Sequence, residues 1–254
     1  MRGGADYTET LAILADDLES CTDFQDRWSR FTGLTGALGA DQVNYGLFDT
    51  FSFRRDEAPV NFISTMSADW ISYYGERRFD LHDPHVIEAR AGKRTHYRWR
   101  EDWTERLSDD HLRDVANQTS EAGLRAQIHV VLPDPLGISG SIGGITIGSS
   151  LRPDEYFASV GDQGQMLVAA AILFHQQTIG EMRRQQVGAQ ALSTRERDCL
   201  TYAALGLRTT RIAERLGVSD VTAELHLRNA RNKLKTKTTA QAVARAIIFG
   251  DVRI

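Results

Sequence analysis

The stretch from residue 193 to residue 249 constrains the fold most, because signals that start and stop helices follow one another there at short spacings. Ser193 and Glu196 have the Ser-x-x-Glu spacing of a capping box, in which each side chain accepts a hydrogen bond from the other residue's free backbone N–H. Gly206 ends this first helix, and Gly217 and Ser219 frame a tight turn after a second, short one. The spacing predicts two short helices joined by a glycine-containing turn.

A third helix, from about Asp220 to Lys235, is predicted to be basic. Leucines alternate on it with arginines and lysines, and a fourth helix follows from Ala240 to Phe249. A basic helix after a short helix and a tight turn is the geometry that places a helix in the DNA major groove. A helical hairpin of another kind would share the spacing, but the basic face favours DNA.

The distribution of charge changes near residue 190, just before these predicted helices. Residues 190–254 hold twelve Lys and Arg against six Asp and Glu, a net charge of +6, which leaves 18 against 28, or −10, for residues 1–189. A basic domain attracts a polyanion, whereas an acidic one repels it. The split therefore predicts two domains, of which only the C-terminal one contacts nucleic acid.

The chain is predicted to be of the α+β class. The N-terminal part is expected to be an α/β/α sandwich around an antiparallel sheet, and the C-terminal part a small all-α helix-turn-helix domain. Apolar residues at three- and four-residue spacings predict helices, and aromatic or β-branched runs between turn signals predict strands. Ser67 and Ser108 are the expected N-caps of two of the helices. The predicted helices cover residues 8–18, 23–38, 67–78, a short segment from Asp83-Pro84, 109–121 and 153–186, and the strands cover 42–53, 60–65, 126–132 and 141–149.

Three segments follow from these patterns: residues 1–176 as a signal-binding domain, 177–191 as a helix end and linker, and 192–254 as the DNA-binding domain. No apolar run approaches the roughly 18 residues of a membrane span, and the N-terminus lacks the apolar core of a signal peptide. Cys21 and Cys199 are too few for a disulfide framework. We expect a cytoplasmic protein that contacts no membrane.

Residues 192–246 resemble the LuxR-type helix-turn-helix over nearly its full length. The departures are Arg211, Ala223 and Thr238, and none of them removes a scaffold residue. The matching positions are Glu196, Leu200, Gly206, Ile212, Ala213, Leu216, Ser219, Thr222, His226, Asn229, Lys233, Leu234 and Ala242.

The first domain resembles that of N-acyl-homoserine-lactone receptors. Trp70, Tyr74, Asp83 and Pro84 match the pattern Trp-x3-Tyr-x8-Asp-Pro, and Trp99 lies about one residue further along than is usual. A receiver domain of the response-regulator type does not fit, because its sheet is parallel. Two departures affect the pocket: Met66 stands where many members carry Tyr, and Gln127 stands where most carry Gly.

Such a ligand has one amide N–H, two carbonyls and an apolar tail, so a buried pocket must pair three polar groups. The resemblance implies that Asp83 accepts from the amide, that Trp70 donates to the lactone carbonyl and Tyr74 to the acyl carbonyl, and that Thr146 adds a hydroxyl. Without the resemblance, Trp70 and Tyr74 would be interpreted as core aromatics four residues apart on one helix face, and Asp83 as the N-cap of the next helix. Gln127 is expected to narrow the head-group end of the pocket.

Other function classes remain open at this stage. An enzyme is not expected, because the sequence has no Gly-x-Ser-x-Gly, P-loop or metal signature, and we predict no catalytic residue and no cofactor. His82, Asp83 and His85 lie on one short segment without a third ligand at a fitting spacing, so no metal site is predicted. The alternatives are a regulator whose pocket is filled by its own side chains and a receptor for a non-lactone molecule.

A homodimer on an inverted-repeat DNA site is expected, because one helix-turn-helix reads only a few base pairs. RNA polymerase is a further candidate partner. The dimer surface is predicted on the helix 153–186, through Met166, Leu167, Ile172 and Leu173, with help from Ile247 and Ile248. Base contacts are assigned to Glu224, Leu225 and Arg228, phosphate contacts to Arg231, Lys233 and Lys235, and Thr222 is placed at the same surface.

Overall fold

The structure is a computed structural model, and it describes residues 3–49, 61–90, 96–134 and 141–253. The chain divides into two compact units, the first ending at Thr178 and the second beginning at Ile179. The first unit is a mixed α and β domain and the second is entirely helical. This is the α+β class expected from the sequence.

The first unit alternates helical pairs with strands. Its helices are α1 (Gly3–Ser20), α2 (Phe24–Ala37), α3 (Ala68–Glu76), α4 (Pro84–Arg90), α5 (Asp110–Glu121), α6 (Pro153–Val160) and α7 (Gly164–Gln186), the last of which continues into the second unit. Its strands are β1 (Gln42–Asp49), β2 (Asn61–Ser64), β3 (His96–Arg100), β4 (Ala126–Pro133) and β5 (Ser141–Ser149).

The five strands form one antiparallel sheet in the order β2-β1-β5-β4-β3. Because side chains alternate along a strand, the register assigns each row of paired residues to one face. The row Tyr45, Ile145 and Val130 belongs to the core face, which we define as the face that packs on α2, α6 and α7. The next row, Asn44, Thr146 and His129, belongs to the opposite face, called the cavity face.

An aromatic cluster fills the core face. The rings of Phe31 on α2 and Phe174 on α7 stack with centroids 4.5 Å apart, and Tyr45 meets Phe174 edge-on at 5.3 Å. Tyr45 Oη lies 2.9 Å from His175 Nδ1, so its hydroxyl is paired where no water reaches it. Tyr156 on α6 donates to the carbonyl of Ile147. These contacts attach the helices of one layer to the sheet.

Three local predictions are wrong. The sequence predicts four strands, but His96–Arg100 forms a fifth, β3, which pairs with β4. The N-cap of α5 is Asp109 rather than Ser108, and its carboxylate accepts from His111 N and Leu112 N. The single helix predicted for residues 153–186 is broken at Gly161, whose φ of 47° and ψ of −124° are not helical.

Two further predictions, one for a strand and one for the dimer surface, agree with the structure only in part. The predicted strand over 42–53 ends within the described part of the chain at Asp49, and residues 50–60 lie outside the described residues. The predicted dimer surface on α7 is wrong in part, because Met166 and Leu167 are 5% and 0% exposed inside their own unit, while Ile172 is 41% exposed. The period of a helix does not tell a core contact from an interface contact, and this sheet needed both residues.

The second unit contains α8 (Thr194–Ala204), α9 (Thr209–Leu216), α10 (Asp220–Lys233) and α11 (Thr239–Ile248). The capping box of Ser193 and Glu196 is confirmed, with hydrogen bonds in both directions. Gly206 and Gly217 have φ values of 84° and 66°, the left-handed conformation that ends a helix. Buried apolar side chains from all four helices and the segments next to them form the core: Leu192, Cys199, Leu200, Ile212, Ala213, Ala223, Leu227, Ala230, Leu234, Ala242, Ala246, Phe249 and Val252.

The last turns of α7 belong to the second unit. Arg183 Nη1 donates to the carbonyl of Ile248 at 2.8 Å, and Arg184 forms an ion pair with Asp251 at 2.9 Å. Residues 177–186 of the segment predicted as helix end and linker are therefore helical, and the turn that follows contains Gly188 with a φ of 63°.

Within the described ranges, no single helix has both the length and the apolar composition needed to cross a membrane. Only α6 and α7 taken together, with the bend between them, have that length and composition.

Candidate functional site

A cavity of about 400 Å³ lies against the cavity face of the sheet, under α3, α4 and the end of α5. Its sheet wall contains glycines at two positions, Gly46 and Gly144, which leave room where other residues would project side chains. Six of the eight residues predicted to bind ligand line it: Met66, Trp70, Tyr74, Asp83, Gln127 and Thr146.

Helix α3 positions the aromatic part of the wall. Ser67 caps it by accepting from Trp70 N, and the four-residue spacing of Trp70 and Tyr74 then places both rings on one side, with centroids 6.1 Å apart. Phe79 packs against both rings. Trp70 and Tyr74 thus pack against other aromatic rings and also line the cavity. Their interpretation as core aromatics is therefore compatible with their interpretation as ligand-binding residues.

Asp83 also combines the two roles considered for it. Its Oδ1 accepts from His85 N at 2.8 Å at the start of α4, which is an N-cap interaction, and its Oδ2 accepts from Tyr74 Oη at 2.9 Å. Each carboxylate oxygen has two lone pairs, so the group can accept a further hydrogen bond from a ligand. The contact with Tyr74 connects α3 to the start of α4.

The remaining two predicted residues are placed differently. Pro84 begins α4, where its missing N–H costs nothing. Trp99 lies on β3 in register with Gln127, and its side chain lies outside what the structure describes. The assignment of both to ligand binding stays a prediction.

A cluster of four polar side chains forms the wall next to Asp83, and we call it the polar wall: His85, Gln127, His129 and Thr146. Gln127 Nε2 lies 2.8 Å from His85 Nε2, and His129 Nδ1 lies 2.9 Å from Thr146 Oγ1. The two imidazole rings stack at 4.7 Å between centroids. All four side chains are less than a tenth exposed.

The sequence interpretation did not assign the two histidines to the pocket. His129 follows Gln127 by two residues on a strand and pairs with Thr146 in β5, so the period of the strand places it on the same face as both. That signal was available once β4 was recognised. His85 could not be found in this way, because only the docking of α4 on the sheet brings it to Gln127. Asn44, on β1, is a further lining residue that was missed.

Burial disfavours the charged form of both histidines. Desolvation lowers the pKa of His85, although the negative charges of Asp83 and Glu88 act in the opposite direction. Desolvation also lowers the pKa of His129, well below its usual range, and the neighbouring His85 adds to the effect. A neutral imidazole presents one donor and one acceptor nitrogen, so in this form the polar wall offers hydrogen-bonding groups rather than charge.

The buried histidines predict a pH-dependent stability. Unfolded histidines titrate near pH 6.5, above the folded-state pKa, so the unfolded chain binds more protons below that pH and the folded state loses stability as the pH falls. We expect the free energy of unfolding, measured with urea, to decrease from pH 7 to pH 5.5. His129→Gln should reduce this slope, because the pKa of His129 is lowered well below its usual range. An equal slope in the wild type and in His129→Gln would contradict the assignment.

Helix α10 carries six of the seven predicted DNA-binding residues, and the seventh, Lys235, lies two residues beyond its last residue, Lys233. Ser219 caps it by accepting from Thr222 N, and Thr222 Oγ1 lies 2.8 Å from Ser219 Oγ. The first two turns of the helix expose two large apolar side chains, Val221 at 80% and Leu225 at 41%. Apolar residues so exposed on a basic helix suit contacts with the methyl groups of thymine.

The basic residues of this domain differ in their partners. Arg231 forms an ion pair with Glu224 at 3.0 Å and donates to Thr239 Oγ1, while Lys233 forms one with Glu196 at 2.7 Å. Although burial favours the neutral acid, Lys233 and Ser193 together hold the pKa of Glu196 below its usual range. Lys233 thus supports the scaffold.

Arg228 and Lys235 are exposed, and the described residues show no ion pair for either. Glu224 pairs with Arg231 rather than with Arg228, its neighbour at i+4. Arg228 is therefore available for a base or a phosphate. The DNA contacts themselves stay predictions.

Nothing among the described residues forms a metal site: no group of three or more His, Cys, Asp or Glu side chains converges there. Asp83 is already engaged by Tyr74 and by the backbone of His85, and His85 by Gln127.

Models of known protein families match both the N-terminal and the C-terminal part of the chain. Residues 23–178 match the family model of the autoinducer binding domain, and residues 190–246 match that of the bacterial regulatory proteins of the LuxR family. The transcriptional activator AhyR of Aeromonas hydrophila is 26% identical over 95% of this chain and 92% of its own length.

Two solved structures share the fold. Escherichia coli SdiA is 17% identical, with a TM-score of 0.53 over 98% of this chain and 100% of its own. The transcription factor CepR2 of Burkholderia cenocepacia is also 17% identical, with a TM-score of 0.54 over 66% of this chain and 94% of its own.

The matched family models cover the cavity and α10, the two places where the sequence predicts binding of ligand and of DNA. Proteins with this pair of domains are regulators rather than enzymes, so the expectation that the chain is not an enzyme is confirmed. With an autoinducer-binding domain joined to a LuxR-type helix-turn-helix, the chain belongs to the LuxR family of bacterial transcriptional regulators.

Proposed function

We propose that the cavity binds an N-acyl-homoserine lactone and that the bound protein controls transcription as a homodimer on an inverted-repeat DNA site. The observation that carries the ligand proposal is the joint position of Trp70, Tyr74 and Asp83 on the wall of one cavity. Their indole N–H, hydroxyl and carboxylate match the two carbonyls and the amide N–H of such a lactone. CepR2 is described as dependent on an N-acylhomoserine lactone.

The volume of the cavity argues against the alternative in which the protein's own side chains fill the pocket. About 400 Å³ lies within the usual range of small-molecule sites, even with Gln127 in place of glycine. A ligand-independent regulator would not need that space. Empty apolar space is unfavourable, so binding should also stabilise the fold.

A second candidate ligand is an uncharged acyl compound without a lactone ring. SdiA has been solved in complex with octanoyl-rac-glycerol. The polar wall of His85, Gln127, His129 and Thr146 favours this candidate, because it offers more hydrogen-bonding atoms than the head of a simple lactone requires. Both candidates have an apolar tail and an uncharged head.

Mass spectrometry of the purified full chain separates these possibilities. The protein is expressed with N-octanoyl-homoserine lactone, with octanoyl-rac-glycerol or with neither, and small molecules released on denaturation are identified. We expect the lactone in about equal molar amount with the protein. Retention of the glycerol ester in place of the lactone would favour the second candidate, and retention of neither, with no rise in melting temperature, would refute a receptor of this kind.

On the DNA side, we propose that the protein acts in the cytoplasm, where it meets its DNA site and RNA polymerase. Two copies of α10 must enter successive major grooves about 34 Å apart to read enough sequence. Arg228, exposed on this helix, is assigned to a base edge, and Lys235, two residues beyond its end, to the phosphate backbone.

The two assignments predict different losses. Arg228→Ala should weaken binding by about 1–3 kcal/mol and relax preference at one base pair of each half-site, whereas Lys235→Ala should weaken all sites alike and lower the salt dependence by about one unit of slope. A gel-shift series over mutated half-sites at several salt concentrations measures both. Uniform losses from both variants would rule out base reading by Arg228.

A further inference from the structure

A buried acceptor in the cavity wall has no donor. Gln127 is 2% exposed, and its Oε1 finds no hydrogen-bond partner among the described residues. An amide oxygen removed from water without a donor is unfavourable, so such atoms are usually paired by water or by a ligand. This one belongs to a residue that lines the cavity.

The packing around Gln127 fixes this arrangement. Its amide nitrogen lies 2.8 Å from His85 Nε2, and since an amide nitrogen only donates, His85 Nε2 accepts. Gly148 faces Gln127 across the strand pair, and a Cβ at that glycine would lie 2.9 Å from Gln127 Cβ and 2.5 Å from Leu124 Cδ1. The side chains of Gln127 and Leu124 thus occupy the space above Gly148.

A simple acyl-homoserine lactone cannot satisfy this oxygen. The molecule has a single hydrogen-bond donor, its amide N–H, and that donor is assigned to Asp83. Its carbonyl groups only accept. Thr119 Oγ1, on α5, is a second buried polar atom of the wall that lacks a hydrogen bond within the described ranges. The cavity therefore offers more polar contacts than an unsubstituted acyl chain uses.

His85 sets where the missing donor must be. Its backbone N–H donates to Asp83, while its ring accepts from Gln127, so one residue joins the acceptor assigned to the ligand amide to the acceptor without a partner. Because His85 joins the two acceptors, we place the second donor close to the amide, on the first carbons of the acyl chain. A hydroxyl group is the donor that an acyl chain carries there.

We infer that the ligand is a hydroxylated acyl compound whose hydroxyl, near the amide, donates to Gln127 Oε1. This inference rests on the proposed acyl-lactone function and narrows its ligand class. A keto group at the same carbon would place a second acceptor against Gln127 Oε1 and should bind less well. The discrimination comes from Gln127, and a glycine at this position would not provide it.

The test compares three lactones of equal chain length on the full protein by titration calorimetry: N-octanoyl-, N-(3-oxooctanoyl)- and N-(3-hydroxyoctanoyl)-homoserine lactone. We expect the hydroxy compound to bind the wild type at least about tenfold more tightly than the other two, the usual effect of pairing a buried polar group. In Gln127→Met, which keeps the length of the side chain and removes its oxygen, the three affinities should converge.

Gln42→Met is the matched control. Gln42 lies on the same row of the sheet, opposite Gly148 from the other side, and its Oε1 likewise lacks a partner in the described part of the chain, but it does not line the cavity. This variant should keep the hydroxyl preference. Equal binding of the three lactones to the wild type, a preference for the keto compound, or a preference that survives Gln127→Met would each overturn the inference while leaving a lactone receptor in place. Binding of none of them would overturn the proposed function as well.

Discussion

Gly180→Ala is expected to destabilise the second unit by about 2 kcal/mol or more, although alanine favours a helix by about 1 kcal/mol over glycine. A Cβ at Gly180 would lie 2.1 Å from the carbonyl oxygen of Phe249, which is backbone and cannot rotate away. The flanking contacts, Arg183 to Ile248 O and Arg184 to Asp251, hold the last turns of α7 against the C-terminal segment. The clash would force these turns away from it.

Hydrogen exchange on the full chain measures this effect where it occurs. Amides of α11 should exchange about 30-fold faster in the variant, as a loss of about 2 kcal/mol requires, while those of β1 and β5 stay as protected as before. Gly33→Ala is the control, since Gly33 lies within α2 and a Cβ there meets nothing within 4 Å. That variant should be neutral or slightly more stable. Unchanged exchange in α11 after Gly180→Ala would show that the contact with Phe249 is not needed.

Asp83→Asn is expected to weaken lactone binding by about 1.5–3 kcal/mol, or roughly 10- to 150-fold, because it removes a carboxylate acceptor from the place assigned to the ligand amide. The fold should survive the change. Asparagine keeps one oxygen for the N–H of His85, and the hydroxyl of Tyr74 can turn to accept from the new amide group.

Calorimetry with N-octanoyl-homoserine lactone gives the affinity, and the melting temperature without ligand gives the stability. Asp69→Asn, an exposed carboxylate in the first turn of α3, is the control and should change neither. Unchanged lactone affinity in Asp83→Asn would mean that the amide is bound elsewhere. A large fall in the melting temperature without ligand would mean that Asp83 acts mainly as a structural cap.

Local sequence was sufficient for the features that depend on near neighbours. The capping box of Ser193 and Glu196, the turn at Gly217 and the basic helix α10 follow from hydrogen bonds and backbone preferences within a few residues. The common face of Trp70 and Tyr74 follows from the four-residue spacing on α3. A helix carries most of its geometry in its own sequence, so these predictions required no knowledge of the tertiary structure.

The strand His96–Arg100 shows where that reasoning ends. Its sequence, His-Tyr-Arg-Trp-Arg, combines two aromatic residues with two arginines and has no β-branched residue, and pairing with β4 supplies the backbone hydrogen bonds that make it a strand. Strand formation depends on a partner that is distant in sequence, so intrinsic propensity is a weak guide. The missed strand is therefore a non-local effect.

The sequence by itself determined that this chain joins a sandwich domain to a helix-turn-helix, and it named Trp70, Tyr74, Asp83 and Gln127 as pocket residues. Only the tertiary structure decided what surrounds them. The contact of Gln127 with His85 spans 42 residues, and that of Glu196 with Lys233 spans 37. Such contacts form when separate elements dock, and docking is set by how whole faces pack rather than by the spacing within any one of them.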